Sequence, residues 1–187
     1  TSGTTGVPKM VQLSFNNFIS SVDAWNKVLE ITKKDIYIQC LPLNHIAGIS
    51  IIIRSQCIGF KTIILDKFNV KFINEEIENG ATLISLIPSM LKRLIDFRRG
   101  KKFPRHFRGI ILGGNSCPSS LLRKCLEYNI PVFKTYGMTE TCSGVSGFWV
   151  NKFPEYVESV GQPFHNATVN IKDSKVSIEG PIVMTKY

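Results

Sequence analysis

The chain has 187 residues, enough for one hydrophobic core, and its 43% hydrophobic and 20% charged residues are ordinary for a globular protein. No apolar run is long enough to cross a membrane, since the densest one, residues 49–53, is closed by Arg54. The first residues are small and polar, unlike a secretory signal peptide. The five cysteines form no CxxC pair and no zinc-binding spacing, so we expect free thiols in a cytoplasmic protein.

The formal net charge of +9 comes partly from a basic cluster between residues 98 and 108. The cluster is interpreted either as a nucleic-acid-binding patch or as a solvated loop between a helix and a strand. No aromatic platform or groove-reading helix accompanies the charge, so the sequence favours the loop and predicts no nucleic-acid partner. Attraction of anionic substrates is a third interpretation. The oligomeric state stays open, a homo-oligomer included.

Residues 1–9, TSGTTGVPK, form a dense run of hydroxyls and glycines that ends in a lysine. Glycines let successive backbone N–H groups converge on an anion, and Lys9 adds a mobile positive charge suited to the outer phosphates of a nucleotide. The spacing GxxxxGK[ST] of a P-loop is absent. A phosphate loop normally follows a strand and none precedes Thr1, so we expect the chain to be a piece of a longer protein.

Hydrophobic periodicity predicts helices and strands in alternation along most of the chain. The predicted helices are residues 14–30, 45–59, 70–79, 88–97 and 118–128, and the predicted strands are residues 35–43, 61–65, 82–87, 108–112 and 130–134. This alternation is typical of an α/β fold with a doubly wound, mostly parallel sheet and flanking helices.

The last part of the chain lacks the alternation of helices and strands. Residues 168–172 and 175–179 alternate around Asp173-Ser174, which predicts a β-hairpin. We therefore expect residues 1–160 to form a central α/β part and residues 161–187 to begin a small β subdomain.

Two glycine-containing strings follow predicted strands, at the edge where open α/β sheets bind ligands. Residues 113–115, GGN, leave room for a flat ring against the backbone, although an isolated glycine pair is otherwise a plain tight turn. Residues 136–141, YGMTET, are expected to form a polar loop with an aromatic face, a glycine that allows close approach, hydroxyls and a carboxylate. A nucleotide with a divalent metal needs that set of groups.

His45 lies just after a predicted strand and begins the next helix. A lone histidine is more often a structural hydrogen-bonding residue than a catalytic one, but its place at the ligand-binding edge favours function. Arg54 lies within the same apolar helix, where an arginine is either buried and paired or directed at an anionic ligand.

The strings TSGTTGVPK, LPLNH, GGN and YGMTET, in this order, resemble the acyl-adenylate-forming superfamily of AMP-binding enzymes over the whole chain. That superfamily includes acyl-CoA and aryl-CoA synthetases, peptide-synthetase adenylation domains and luciferases. Within it, LPLNHIAGISIIIRS, LISLIPSMLKRLI and IPVFKTYGMTETCS most resemble the o-succinylbenzoate–CoA ligases of menaquinone synthesis.

The resemblance implies a two-step ligase reaction with ATP, Mg²⁺ and coenzyme A. A carboxylate attacks the α-phosphate of ATP, pyrophosphate leaves, and the coenzyme A thiol then displaces AMP from the acyl-adenylate. By this resemblance the phosphate loop comprises Thr1, Ser2, Gly3, Thr4, Thr5, Gly6 and Lys9, and the adenine pocket comprises Gly113, Gly114, Asn115, Tyr136 and Gly137. Thr139 matches the α-phosphate contact, Glu140 the magnesium ligand, and His45 a histidine beside the acyl group.

For an acid with a second carboxylate, Ser50 and Arg54 are candidate partners by position, and Gly144 is a candidate for the wall of the aryl slot. Two features depart from the family. Asn44 stands where an aromatic or large apolar residue is usual, and the ribose-binding aspartate, the hinge and the C-terminal domain with its lysine do not follow Tyr187. We therefore expect a central fragment of a large adenylation domain that is inactive alone. Another aryl- or fatty-acid–CoA ligase and a non-catalytic nucleotide-binding remnant are the alternatives.

Overall fold

A seven-stranded sheet with helices on both faces dominates the computed structural model, which describes residues 9–187. The helices are α1 (Phe15–Leu29), α2 (Ile46–Ile58), α3 (Val70–Glu78), α4 (Pro88–Arg98) and α5 (Ser119–Glu127). The strands are β1 (Ile36–Gln39), β2 (Lys61–Ile64), β3 (Leu83–Leu86), β4 (Gly109–Leu112), β5 (Val132–Met138), β6 (Ser143–Trp149), β7 (Gln162–Pro163), β8 (Thr168–Lys172) and β9 (Lys175–Glu179). Two 3₁₀ turns cover Thr139–Thr141 and Pro154–Tyr156.

The spatial order of the large sheet is β2-β1-β3-β4-β5-β6-β7. The first five of these strands pair in parallel, whereas β6 and β7 add to the edge in antiparallel fashion. The chain moves from β1 to β2 on one side and returns to β3 on the other, so the strand order reverses beside β1. The predicted α/β class with a doubly wound, mostly parallel sheet is confirmed.

Two hydrophobic clusters cover the two faces of this sheet. Successive strand residues point to opposite faces, so Tyr37 packs with α1 and α2 while Ile38 packs with α3 and α4. Ile110 and Ile111 divide in the same way between the two clusters. The central strands β1, β3 and β4 are therefore buried on both sides, as the continuous apolar runs of the sequence predict.

Local caps fix the ends of the helices close to the predicted bounds. Ser14 and Asn17 form a capping box at the start of α1, with the Asn17 amide donating to Ser14 Oγ at 3.2 Å. Helix α2 begins directly after His45 and ends at Gly59, whose φ of 89° is a left-handed conformation that glycine adopts without strain. His45 is thereby placed at the carboxyl edge of the sheet, next to β1.

The expectation of a polar loop over residues 136–141 is wrong in its first half. Strand β5 continues through Tyr136 and Gly137 to Met138 because β6 pairs with it antiparallel, with an irregularity between Tyr136 and Gly137. The backbones approach so closely there that a Cβ on Gly137 would lie 1.9 Å from the carbonyl oxygen of Ser143. The sequence did not predict β6, whose small residues give a weak strand pattern.

The predicted hairpin at the C-terminal end is present as β8 and β9, which pair only with each other within the described part of the chain. Strand β7 instead belongs to the edge of the large sheet. The division of the chain at residue 160 stays a prediction. No helix within residues 9–187 is long and apolar enough to cross a membrane.

Part of the basic cluster stabilises the fold through ion pairs. Arg98 is buried and pairs with Glu78 at 2.9 Å, and Arg108 pairs with the buried Asp35 at 2.7 Å. Burial raises the pKa of Asp35, but hydrogen bonds from Arg108, the Thr32 amide and the Thr82 hydroxyl outweigh it and hold the pKa below its ordinary value of 3.8.

We expect Asp35→Asn to lower the free energy of unfolding at pH 7 by about 2 kcal/mol, because a hydrogen-bonded charge is lost. The folded-state pKa lies below the unfolded one, so the carboxylate stabilises the fold fully above pH 3.8 and less as the pH falls through the folded value. The difference between variant and parent is therefore expected to shrink in acid, as measured by urea denaturation at several pH values. The exposed Asp66→Asn is the control, and a difference independent of pH would contradict this assignment.

Candidate functional site

The carboxyl edge of the sheet carries a cavity of about 510 Å³ beside the ends of β4 and β5. Four of the predicted nucleotide-binding residues line it, namely Gly114, Asn115, Tyr136 and Gly137. A volume of this size suits a small-molecule ligand such as a nucleoside. A second cavity, of about 410 Å³, lies at the opposite edge of the sheet, and none of the predicted site residues lines it.

The two glycines after β4 have different structural roles. Gly114 has a φ of 82° and lines the cavity, whereas Gly113 packs on Thr135, whose Cγ2 would lie 2.9 Å from an added Cβ. The turn therefore lets the chain pass closely over β5 and leaves the cavity wall without a side chain at Gly114.

Sequence reasoning missed two charged residues in this cavity, Lys134 and Glu158. The ammonium of Lys134 donates to the Val157 carbonyl at 2.8 Å and so ties β5 to the loop that forms one wall. Burial lowers the pKa of Lys134, while Cys117 and Glu158 counteract that shift. Lys134 is the last residue of the apolar run 130–134. A lysine directly after Phe133 indicates that the two side chains point to opposite faces of the strand.

Glu140 lies half-buried on the 3₁₀ turn that follows β5. The Thr141 hydroxyl stabilises this turn, because it accepts from the Met138 amide at 3.0 Å and lies 2.8 Å from the Ser143 carbonyl. The Glu140 carbonyl accepts from the Met184 amide at 2.8 Å. Thr139 begins the same turn, so the predicted α-phosphate and magnesium contacts are adjacent on one rigid piece of backbone.

The described residues contain no cluster of three or more His, Cys, Asp or Glu side chains that could hold a metal ion by themselves. A single carboxylate nevertheless fits Mg²⁺, which usually takes one or two protein carboxylates and completes its shell with water and phosphate oxygens. Glu140 thus suits a metal that arrives with a nucleotide.

His45 is exposed, and its side chain does not cap the helix that it precedes. Its backbone carbonyl accepts from the amides of Gly48 and Ile49, so the first turn of α2 fixes its position. This geometry gives no support to a hydrogen-bonded structural role for the imidazole, which faces the outside at the carboxyl edge.

Arg54 is a buried cation whose surroundings hold no carboxylate partner among residues 9–187. Its guanidinium lies 4.7 Å from the Trp25 ring centroid and donates to Ser50 Oγ at 3.1 Å. Its Nε has no hydrogen-bond partner in the described structure. Burial lowers the pKa of Arg54, and the neighbouring Tyr37 counteracts that shift.

Three of the four residues predicted to bind the acid lie around Trp25 of α1, to which the sequence analysis gave no role. The Trp25 ring lies against Arg54 on one side, and its Cζ2 would be 2.3 Å from a Cβ on Gly144. Trp25 Nε1 also donates to Ser143 Oγ at 3.0 Å. Ser50, Arg54 and Gly144 therefore share one neighbourhood, while His45 lies nine residues, about 13 Å of helix, before Arg54.

The predictions for Thr1 to Gly6 fall outside the described residues. Lys9, the first functional candidate inside them, is exposed, and its ammonium lies 4.7 Å from the ring centroid of Tyr187. Sequence reasoning gave Tyr187 no role.

A mostly parallel sheet with a cavity at its carboxyl edge defines an open α/β protein of the kind that binds ligands at this edge. The chain belongs to the AMP-binding enzyme family, which matches residues 1–186. The predicted superfamily is thereby confirmed.

Curated relatives share about a third of their residues with this chain. It is 34% identical to the 2-succinylbenzoate–CoA ligase of Bacillus cytotoxicus, over 98% of this chain and 39% of the relative. It is 32% identical to the corresponding ligase of Enterococcus faecalis, over 100% of this chain and 41% of that protein. The chain thus spans about 40% of the length of these relatives.

Solved structures match the fold closely. The o-succinylbenzoate coenzyme A synthetase of Bacillus subtilis in complex with ATP and magnesium ion superposes with a TM-score of 0.92 at 35% identity, covering 100% of this chain and 41% of that one. The same enzyme in complex with its acyl-adenylate intermediate also gives 0.92. The N-terminal domain of FACL13 from Mycobacterium tuberculosis gives 0.89 at 23% identity, covering 100% of this chain and 50% of that one, which shows the shared fold.

The two buried arginines provide a test of whether Arg54 serves the fold or a ligand. We expect Arg98→Met to lower the free energy of unfolding by about 2 kcal/mol, since it breaks the pair with Glu78. Arg54→Met is expected to change it by less than about 1 kcal/mol, because removing an unpaired buried cation offsets the lost contacts. Denaturant titration of both variants measures this, and equal destabilisation would mean that Arg54 is structural.

Proposed function

We propose that this chain is the central part of the large domain of an ATP-dependent, AMP-forming acid–CoA ligase. The observation that carries the proposal is the continuity of the carboxyl edge, where the cavity lined by Tyr136 and Gly137 adjoins the turn that holds Glu140. Membership of the AMP-binding enzyme family supports it, as does the ATP–magnesium complex of the Bacillus subtilis enzyme.

In the first step the acid's carboxylate oxygen attacks the α-phosphorus of ATP, an acyl–phosphate bond forms, and pyrophosphate leaves. Both reactants are anions, so the site must neutralise charge that develops on the phosphate oxygens. Thr139 donates to the α-phosphate, and Lys9 attracts the outer phosphates. Bound Mg²⁺ supplies further positive charge at these oxygens, and Glu140 is the residue that would hold it.

In the second step the thiol of coenzyme A attacks the acyl carbon, a thioester forms, and AMP leaves. None of this chain's buried thiols suits a nucleophilic role, because burial raises the pKa of Cys40, Cys125 and Cys142 to about 12. The coenzyme A thiol, rather than any of these three buried cysteines, is the proposed acyl acceptor. All five cysteines are free, which supports the proposed cytoplasmic location.

We also propose that the acid carries a second carboxylate, with o-succinylbenzoate as the substrate. Arg54 supports this, because a desolvated cation that has no carboxylate partner among residues 9–187 is stabilised by an anionic ligand. The Ser50 hydroxyl accepts a hydrogen bond from the Arg54 guanidinium, the Trp25 ring packs against that guanidinium, and Gly144 lets the ring pack closely on β6. His45 would orient the reacting carboxylate from the edge of the sheet.

The nucleotide assignment predicts that this chain binds ATP more tightly with Mg²⁺ than without it. We expect Glu140→Ala to weaken binding in the presence of Mg²⁺ by about tenfold and to change binding in EDTA by less than about twofold. Isothermal titration calorimetry measures both, with Glu75→Ala on α3 as the control. Equal affinities for the Glu140 variant and its parent with Mg²⁺ would contradict the metal assignment.

The substrate assignment is tested in the complete polypeptide that contains this chain, by AMP release with different acids. We expect o-succinylbenzoate to be preferred over benzoate and over fatty acids. Arg54→Met is expected to raise the KM for o-succinylbenzoate by about 30-fold, since the charge pair between the guanidinium and the second carboxylate is lost. The KM for benzoate, which has no second carboxylate, is expected to change by less than about twofold. Arg93→Met, an exposed arginine, is the control. A preference for a monocarboxylic fatty acid would overturn the substrate.

A further inference from the structure

Residues 181–187 form a strap that contacts three distant parts of the chain at the carboxyl edge. The first contact is with α1, where the Asn17 side-chain amide donates to the carbonyls of Pro181 and Val183, both at 2.8 Å. Asn17 is nearly buried, and its Oδ1 accepts from the Ser14 amide at 2.7 Å. Since its donors and acceptor are all used, Asn17 fixes the start of the strap to the helix.

The second and third contacts use the backbone of the strap. Gln12 pairs antiparallel with Lys186, donating to its carbonyl at 2.9 Å, while the Thr185 amide donates to the Gln12 carbonyl at 3.0 Å. The Met184 amide donates to the Glu140 carbonyl at 2.8 Å. The strap therefore joins the segment after the glycine-rich run to the 3₁₀ turn that carries Glu140.

Tyr187 lies at the point where these connections meet. Its hydroxyl donates to Glu140 Oε1 at 3.4 Å, and its ring lies under the ammonium of Lys9, 4.7 Å from the centroid. One side chain thus contacts both the predicted metal-binding carboxylate and the predicted phosphate-binding lysine, which are 131 positions apart in sequence.

We propose that Tyr187 is a positioning residue that orients Glu140 for Mg²⁺ and Lys9 for the outer phosphates of the same nucleotide. The inference rests on the proposed function, because it requires the two assigned roles. A hydroxyl that donates to one carboxylate oxygen restricts the rotamers of Glu140 and leaves the second oxygen for the metal. The aromatic face attracts the ammonium without neutralising its charge, so Lys9 still binds phosphate.

The hydroxyl and the ring can be removed separately. Tyr187→Phe keeps the ring and loses the hydrogen bond to Glu140, so we expect the gain in ATP affinity that Mg²⁺ provides to fall about fivefold, with affinity in EDTA unchanged. Tyr187→Leu also loses the face under Lys9, so its affinity in EDTA is expected to fall about threefold. Calorimetric titration of the complete polypeptide that contains this chain with ATP, in Mg²⁺ and in EDTA, gives both quantities.

Tyr128 provides a matched control, because it is also exposed and also carries a lysine ammonium over its ring, that of Lys124 at 5.9 Å. Tyr128→Phe and Tyr128→Leu are expected to bind as the parent does. A Tyr187→Phe chain that keeps the full gain from Mg²⁺, or that loses affinity equally in EDTA, would overturn the inference. If Glu140→Ala also keeps the full gain, or the complete parent polypeptide binds no ATP, the nucleotide assignment fails together with it.

Discussion

The close contact between β5 and β6 at Gly137 determines the geometry of the whole candidate site. An added Cβ there would lie 1.9 Å from the Ser143 carbonyl oxygen, so no other residue allows the two strands to meet at this point. The contact places the turn with Glu140 on one side and Ser143 and Gly144 on the other. The turn proposed to bind the nucleotide and the residues proposed to bind the acid are therefore adjacent parts of one hairpin.

The proposed acid-binding side depends on a balance between burial and charge. Arg54 is desolvated, yet an aromatic face and a hydroxyl are poor replacements for a carboxylate. Arg98 shows the alternative, since Glu78, Asn74 and two backbone carbonyls accept from its guanidinium. Arg98 therefore stabilises the fold through a complete set of acceptors, whereas Arg54 is buried without a carboxylate among residues 9–187. A buried charge without a counter-ion is expected of a group that binds an anionic ligand.

The sequence predicted most helices and parallel strands because their signals are local. Ser14 caps α1 and Gly59 ends α2 through contacts within a few residues. The extension of β5 could not be predicted, since it depends on pairing with β6 and on a backbone contact at Gly137. Cavity residues such as Lys134 were missed for the same reason, because a loop more than twenty residues away forms the opposite wall.

The candidate site residues follow the same division. Motif residues on turns, such as Asn115 and Glu140, could be proposed from the sequence because phosphate and base binding favour particular residue types near glycines. Trp25 and Tyr187 carry no such pattern, since an aromatic residue at helical spacing or near a chain end has many structural explanations. Their roles become visible only through partners more than a hundred positions away, Ser143 for Trp25 and Lys9 for Tyr187. Residues that orient a site are thus harder to find from sequence than residues that contact its ligand, because packing rather than chemistry selects them.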